Sequence, residues 1–211
     1  MGNGEYENQY TVIIIFSTTG KVICRADNVF AYEVLGICYF PNGSGLVACG
    51  FDGPGGNGLK VLSPSLELIH TLVGHVGSVN CVTVSPSGSH IASGGRDGKV
   101  MIWSESEGGE WARVQVLEDH TNQIHAVCFS PDGKQLATGS SDKLINLYSF
   151  NEGSAILAHT LEGHTDWVKS LSFSHDCYFF LIPFFTLLYF TQRKPPPPPV
   201  FFLSSLEQIS R

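Results

Sequence analysis

The stretch from Val73 to Trp103, VGHVGSVNCVTVSPSGSHIASGGRDGKVMIW, returns in altered form 45 residues further along the chain. Its counterpart runs from Glu118 to Tyr148 and reads EDHTNQIHAVCFSPDGKQLATGSSDKLINLY, so the two stretches align without a gap. A third start, EGHTDWVKSLSFSHD, places His164 another 44 residues beyond His120. Because a fixed period of this size is the signature of a repeat architecture, we interpret the chain as a tandem array of one structural unit.

Each unit contains four short runs that are apolar or alternate between apolar and polar residues, and turn sequences such as Ser-Pro-Ser-Gly at 85–88 separate them. We predict strands at Val79–Val84, His90–Gly94, Lys99–Trp103 and Trp111–Leu117 in the first unit, and at 124–129, 135–139, 144–148 and 155–161 in the second. No long stretch has helical period. Four strands in about 45 residues is the number of strands and the repeat length that are typical of a β-propeller blade.

The recurring letters resemble the WD-repeat (β-transducin-like) family. The resemblance rests on Gly-His near the start of a unit, the SPDG turn, LATGSSD and a terminal aromatic residue at Trp103 and Tyr148. The Trp-Asp pair of the family is not intact, since Ser104 and Ser149 follow these aromatics. The resemblance implies an all-β fold: a partial, incomplete WD-repeat β-propeller of about three four-stranded blades plus fragments. Such propellers act as platforms for protein complexes.

The repeat divides the chain into a propeller region at 1–176 and a tail at 177–211 that is apolar and rich in proline. Within the region we expect the end of a blade at 10–34, a degenerate blade at 35–72, blades at 73–117 and 118–161, and the start of a blade at 162–176. In the degenerate blade, GICYFPNGSGLVACGFD matches the later units, and we expect Cys49 to take the place of Ser93 and Thr138.

The resemblance also implies a polar network of histidine, hydroxyl, aspartate and aromatic residue within each blade. The candidates are His75, Ser93, Asp97 and Trp103, and then His120, Thr138, Asp142 and Tyr148. An imidazole can donate to a carboxylate and accept from a hydroxyl, which satisfies buried polar groups. A hydrolase triad is the weaker interpretation, because catalysis needs one activated nucleophile rather than the same trio in every unit. We therefore expect no catalytic residue and no enzyme.

The Gly-His loops and the aspartate turns should lie on the same face of a propeller. The candidate protein-binding face is Arg96, Asn122, Gln123, Asp166 and Trp167, with Val76, Gly77, Ser78, Ser141 and Thr165 beside them. An exposed tryptophan near an arginine is a typical interface anchor. Two alternatives stay open: Trp167 packs between blades, or Arg96 is merely solvated. Trp111 is a second, weaker interface candidate.

Composition narrows the partners to other proteins. The chain has 12 lysines and arginines against 19 acidic residues, a net charge of −7, and no basic cluster, so nucleic acid is not expected. None of the six cysteines forms a CxxC pair, and we expect neither metal nor cofactor. The GxGxxG at 53–58 precedes a strand-like run and is interpreted as a hairpin loop. The start MGNGEYENQY lacks a signal peptide, so we expect an intracellular protein of the cytoplasm or nucleus, not secreted.

The tail allows three interpretations. A membrane anchor at 177–190 is 14 residues long, short of the roughly 20 that a spanning helix needs. Pro195–Pro199 could form a polyproline ligand. We prefer the third, translated non-coding sequence such as a retained intron, which transcript sequencing across codons 174–180 would test. On that interpretation the chain belongs to a longer propeller and needs further blades, or a partner, to close the ring.

The function that follows is a non-enzymatic interaction scaffold for multiprotein complex assembly. Two alternatives remain: a scaffold tethered to a membrane through 177–190, and a subunit of an enzyme complex in which the propeller recruits the substrate.

Overall fold

Every regular element in the computed structural model is a β-strand across the residues that it describes, 11–53, 58–174, 179–181 and 188–189. Three antiparallel sheets have four strands each, and we refer to them as the first, second and third blade. The first blade contains β3 (Glu33–Tyr39), β4 (Leu46–Phe51), β5 (Leu59–Leu62) and β6 (Leu68–Thr71). The second contains β7 (Val79–Val84), β8 (His90–Gly95), β9 (Val100–Glu105) and β10 (Trp111–Leu117). The third contains β11 (Ile124–Phe129), β12 (Gln135–Ser140), β13 (Ile145–Asn151) and β14 (Ser154–Leu161).

Within each blade the strands pair in sequence order, because the connections are tight turns between antiparallel neighbours. The turn between β7 and β8 is closed by Ser85 N–H to the His90 carbonyl at 2.9 Å, and Gly88 has a φ of 80°. The corresponding turn in the third blade has Ser130 N–H to the Gln135 carbonyl at 2.9 Å and Gly133 at a φ of 70°. Glycine is needed there, since other residues adopt positive φ only at a cost. The all-β, blade-forming prediction is confirmed.

Fragments lie at both ends of the described chain. A hairpin of β1 (Val12–Phe16) and β2 (Val22–Asp27) packs on the first blade through Ile13 and Leu46. At the other end, β15 (Leu171–Phe173) pairs with β16 (Phe179–Leu181), which pairs with β17 (Leu188–Tyr189). No strand of the hairpin pairs with this last sheet in the described part of the chain, so the sheets do not close into a ring.

The tail differs from its sequence-based description in one respect. The sequence suggested that nothing beyond Asp176 belongs to a blade, yet β16 extends the sheet that begins at β15. Three residues of paired backbone are available there because Leu171, Ser172 and Phe173 present their edge to it. The polyproline run and most of 177–190 lie outside the described residues. No helix in the described ranges is long and apolar enough to span a bilayer.

The core is built between blades rather than within them. One cluster joins Val47 and Leu59 of the first blade to Ile91 and Trp103 of the second. Two further clusters link the second blade to the third and the third to β15, and they include Ile102, Ile124, Tyr148, Ala137, Ile145, Val168 and Leu171. Each blade therefore buries its apolar faces against its neighbours, as in other repeat proteins.

The blades approach so closely that glycine is required at two equivalent positions. A Cβ atom at Gly94 would lie 2.5 Å from Cγ2 of Ile124, and one at Gly139 would lie 2.6 Å from Cγ1 of Val168. Real Cβ atoms essentially never come within 3.0 Å of a heavy atom outside their own residue and its two chain neighbours. The absence of a side chain on β8 and β12 thus lets the next blade pack directly on the sheet.

Polar side chains also connect the second and third blades. Near the inner strands, Asn80 Nδ2 donates to the Ile124 carbonyl at 2.9 Å. At the outer strands, Gln115 Nε2 donates to the Ala155 carbonyl at 2.8 Å, and Ala155 N–H donates to Gln115 Oε1 at 2.7 Å. The side-chain amide of Gln115 therefore pairs with one backbone residue as a strand would.

Candidate functional site

The second blade contains a continuous polar network. His75 Nδ1 lies 3.0 and 3.1 Å from the two carboxylate oxygens of Asp97, and its Nε2 lies 2.9 Å from Ser93 Oγ. The Trp103 indole N–H donates to the same Ser93 Oγ at 2.9 Å. Since Ser93 accepts from the indole, its own O–H is free to donate to His75 Nε2, and His75 Nδ1–H then donates to Asp97. The structure thus brings together the four residues that the resemblance nominated.

The third blade repeats this arrangement with one change. His120 Nδ1 lies 2.8 Å from Asp142 Oδ2, and its Nε2 lies 2.8 Å from Thr138 Oγ1. Tyr148 stands where the second blade has tryptophan, and its hydroxyl donates to Asp119 Oδ2 at 3.1 Å. The aromatic residue therefore links the network to the loop that precedes His120.

The aspartates hold loops as well as histidines. Asp97 Oδ2 accepts the Val76 N–H at 2.9 Å, and Asp142 Oδ2 accepts the Thr121 N–H at 3.0 Å. Each carboxylate thereby ties the loop that carries the histidine of its blade to its own turn. The networks fix the backbone of the surface above them, and their hydroxyl residues, Ser93 and Thr138, are buried at 0% exposure, which fits a structural role.

The first blade holds its aspartate with a lysine instead of a histidine. Asp52 Oδ1 accepts the Ala31 N–H at 2.7 Å, and its Oδ2 pairs with Lys60 Nζ at 2.7 Å. The Lys60 ammonium also lies 4.6 Å from the Phe30 ring centroid. Strand pairing places Ala48 rather than Cys49 at the position of Ser93 and Thr138, so the expected match of Cys49 was wrong by one residue. Without a hydroxyl at that position, the histidine-type network has no acceptor.

Acid should weaken the fold through these aspartates. Burial by itself would raise the pKa of Asp142, but hydrogen bonds from Leu144 N–H, His120 and Thr121 N–H outweigh it, so the pKa lies below its usual value. The pKa of Asp97 is lowered in the same way, against burial, by His75 and the Val76 N–H. A depressed folded-state pKa stabilises the fold above the unfolded value of about 3.9, and that stabilisation is lost as the pH falls further.

We therefore expect the free energy of unfolding of the wild type to decrease as the pH is lowered from about 5 to about 2. The free energy of unfolding of Asp142→Asn should decrease less steeply over the same range. Urea denaturation of both proteins at several pH values in this range would measure the two free energies of unfolding. A constant gap between wild type and variant at every pH would contradict the prediction.

In the second and third blades the loop before the first strand is hydrogen-bonded to the turn between the second and third strands, and one further bond joins the third blade to the segment that follows it. Arg96 N–H donates to the Ser78 carbonyl at 2.9 Å, Ser141 N–H to the Gln123 carbonyl at 2.9 Å, and Val168 N–H to the Ser140 carbonyl at 3.0 Å. The candidate residues differ in exposure: Arg96, Asn122, Asp166 and Trp167 are exposed, and Gln123 is half-buried. Ser141, named beside them, is buried at 6% exposure.

Trp167 has both of the features that the sequence offered as alternatives for it, packing between blades and exposure as an interface anchor. Its ring stacks on His125 of the third blade, with centroids 5.6 Å apart and planes 17° apart, yet the residue is 48% exposed. Lys169 Nζ lies 4.3 Å from the Trp167 centroid. The tryptophan therefore packs across a blade junction and also presents an aromatic surface to solvent.

His125 and Lys169 were not anticipated from the sequence. His125 Nε2 lies 2.6 Å from Ser141 Oγ, and Lys169 Nζ lies 3.3 Å from the same Nε2. Burial and then the Lys169 charge lower the pKa of His125, and burial lowers the pKa of Lys169. The repeat offset could have pointed to His125 and Lys169, because they occupy the position that Asn80 occupies in the second blade. We refer to Trp167, His125 and Lys169 as the tryptophan cluster.

Two other sequence features have structural roles. Trp111 is half-buried, with its ring centroid 5.7 Å from that of Phe40, and packs against the core between the first and second blades. The GxGxxG segment leads into strand β5, and residues 54–57 lie outside the described ranges.

Comparison with known proteins identifies the repeat. The family model "WD domain, G-beta repeat" matches residues 66–104, 111–149 and 156–182, the last of which extends past Asp176 into β16. Small ribosomal subunit protein RACK1 from Medicago sativa is 55% identical over 42 residues, which is 20% of this chain and 13% of that protein. RACK1 from Caenorhabditis elegans is 61% identical over 36 residues, or 17% of this chain and 11% of that protein.

These matches cover only about an eighth of the relatives' length, so they describe the repeat rather than a whole protein. Each matched segment contains all or most of the outer strand of one blade, β6, β10 or β14, and the inner strands of the next sheet, so the repeats of the family model run one strand out of step with the blades. On its repeats and on its four-stranded sheets, the chain belongs to the WD-repeat family.

Proposed function

We propose that the chain is a non-enzymatic protein-interaction scaffold that helps to assemble a multiprotein complex through the face formed by Arg96, Asn122, Gln123, Asp166 and Trp167. The observation that carries the proposal is Trp167, which is 48% exposed although its ring is held by His125 and Lys169. A pre-positioned aromatic side chain loses little conformational entropy when a partner covers it, and tryptophan and arginine dominate interface hot spots.

The charges on this face favour a polypeptide partner of mixed polarity. Arg96 and Lys169 supply cations, Asp166 supplies an anion, and Asn122 and Gln123 supply amide donors and acceptors. The overall charge of −7 opposes a surface that follows a phosphate backbone. The name of the relatives offers the small ribosomal subunit as one such assembly.

The proposal includes the division of the chain into blades and the cellular location of the protein. The propeller region is 1–176, divided at residues 35, 73, 118 and 162, and its last sheet continues into β16 at the start of the segment 177–211. Further blades or a partner close the propeller, since blades depend on neighbours to bury their faces. The protein works inside the cell, in the cytoplasm or the nucleus.

Trp167→Ala and the charge reversal Arg96→Glu should each abolish recovery of the partner complex. Affinity purification of the full chain from cells, followed by quantitative mass spectrometry, measures this. Tyr39→Ala is the matched control. Tyr39 is an aromatic residue of similar exposure, 55%, and it is the last residue of β3, on the side of the blades opposite the proposed face. Partners recovered equally well with Trp167→Ala, Arg96→Glu and wild type would refute the assigned face.

A further inference from the structure

The turns between the first two strands of the second and third blades differ at one central residue. The second blade has Pro86-Ser87-Gly88 and the third has Pro131-Asp132-Gly133, so Ser87 occupies the place of Asp132. These turns lie at the end of the blades opposite the Gly-His loops. The repeat thus provides an internal comparison of a hydroxyl and a carboxylate in the same setting.

The third-blade turn is built around a negative charge. Asp132 Oδ1 accepts the Ser130 O–H at 2.6 Å and the Lys134 N–H at 3.0 Å. These hydrogen bonds, first that of Ser130, lower the pKa of Asp132. The turn therefore presents two donors that converge on an anion at this position.

The second-blade turn presents the same donors to a neutral hydroxyl. Ser87 Oγ lies 2.9 Å from Ser85 Oγ, 2.8 Å from Ser89 Oγ and 3.4 Å from Ser89 N. The contact with Ser89 N–H is longer than its counterpart at Lys134, since a hydroxyl reaches less far than a carboxylate. The donors are in place, and a larger anionic acceptor would use them better.

Accessibility singles out Ser87 among the hydroxyls of this turn. Ser87 is exposed, whereas Ser85 is buried at 2% exposure and Ser89 is half-buried with its Oγ 2.9 Å from His90 Nδ1. Both turns line one cavity of about 290 Å³ between the blades. The charged and titratable residues that line this cavity are His90, Lys134, Asp132 and Glu152.

We propose that Ser87 is a phosphorylation site whose phosphate is held by the turn that holds Asp132 in the next blade. In the reaction a protein kinase transfers the γ-phosphoryl group of ATP: Ser87 Oγ bonds to phosphorus, the bond to the leaving ADP oxygen breaks, and the hydroxyl proton passes to the kinase's base. The phosphate oxygens then accept hydrogen bonds from Ser85 O–H and Ser89 N–H, and Lys134 supplies a cation across the junction. This modification goes beyond the proposed binding role and does not depend on it.

The first test is the modification itself. The full chain is isolated from eukaryotic cells with phosphatase inhibitors, and the tryptic peptide 61–96 is sequenced by tandem mass spectrometry. We expect one phosphate on Ser87 that Ser87→Ala removes and Ser89→Ala retains. A peptide recovered without phosphate, or with phosphate on Ser85 or Ser89 instead, would overturn the proposal.

The second test is the anion site. Ser87→Asp should raise the midpoint of thermal unfolding by about 2–4 °C, the shift that one added charge-assisted hydrogen bond gives a chain of this size. Ser65→Asp is the matched control, because Ser65 Oγ also lies 2.8 Å from a serine hydroxyl two residues earlier, while the nearby Glu67 N–H is already taken by Ser63. An unchanged or lower midpoint for Ser87→Asp would count against the site.

Discussion

Gly94→Val should lower the free energy of unfolding by about 3 kcal/mol, at the upper end of what overpacked cores show. The new Cβ would lie 2.5 Å from Ile124 Cγ2 and 2.8 Å from Cys81 Sγ, both within the junction of the second and third blades. Because Gly94 does not have positive φ, backbone strain contributes nothing and the cost measures packing alone. Guanidinium denaturation followed by tryptophan fluorescence would quantify it.

Two variants make this expectation specific. Gly108→Val is the matched control, since the nearest atom to its Cβ is Ser106 Oγ at 3.7 Å, and it should leave stability within about 0.5 kcal/mol of wild type. Ile124→Ala removes the clashing methyl group, so the double variant with Gly94→Val should be more stable than the sum of the single effects predicts. If the losses of stability of the two single variants added up to that of the double variant, the clash of the valine side chain at position 94 would not involve Ile124.

His120→Ala should also lower the free energy of unfolding strongly, by about 3 kcal/mol, the upper end of the cost of leaving a buried hydrogen-bonding group without its partner. Asp142 would lose the Nδ1–H that lies 2.8 Å from its carboxylate while its side chain stays 5% exposed, and Thr138 would lose the acceptor at Nε2. The Thr121 and Leu144 N–H groups still bond to Asp142, which keeps the loss from being larger.

His159→Ala is the appropriate comparison for this change. His159 lies on β14 and is exposed, so its removal should cost well under 1 kcal/mol by the same denaturation measurement. Similar losses for the two histidine variants would show that the buried network does not stabilise the blade.

The fold could be predicted because the repeat supplies its own alignment. The strand runs near residues 79–84 and 124–129 alternate in the same way, and the same turn residues follow them at an offset of 45. The networks followed from the same offset, since His75 and His120 sit at matched positions. Local pattern is decisive there because all partners lie within one blade.

The tryptophan cluster could not be predicted with equal ease. Its contacts join Trp167 and Lys169 to His125, residues about 44 positions apart that meet only when two blades pack. The pattern within a blade says which residue type is buried but not which neighbour it will meet. The exchange of Ala48 for Cys49 was missed for a related reason, because side-chain identity suggested a match that strand register does not support.

The paired amide of Gln115 has a mechanical consequence. The second and third blades are fastened at their inner edge by Asn80 and at their outer edge by Gln115, so a hinge motion between them must break hydrogen bonds on whichever side opens. At the preceding junction Leu35 stands where Asn80 stands, and its side chain can donate no hydrogen bond. At the position of Gln115 that junction has His70, whose Nδ1 lies 3.8 Å from Glu110 Oε2, a longer contact than the two bonds of Gln115. When the chain is pulled from its ends, the second and third blades should therefore move as one rigid body. The junction between the first and second blades should open before the junction between the second and third.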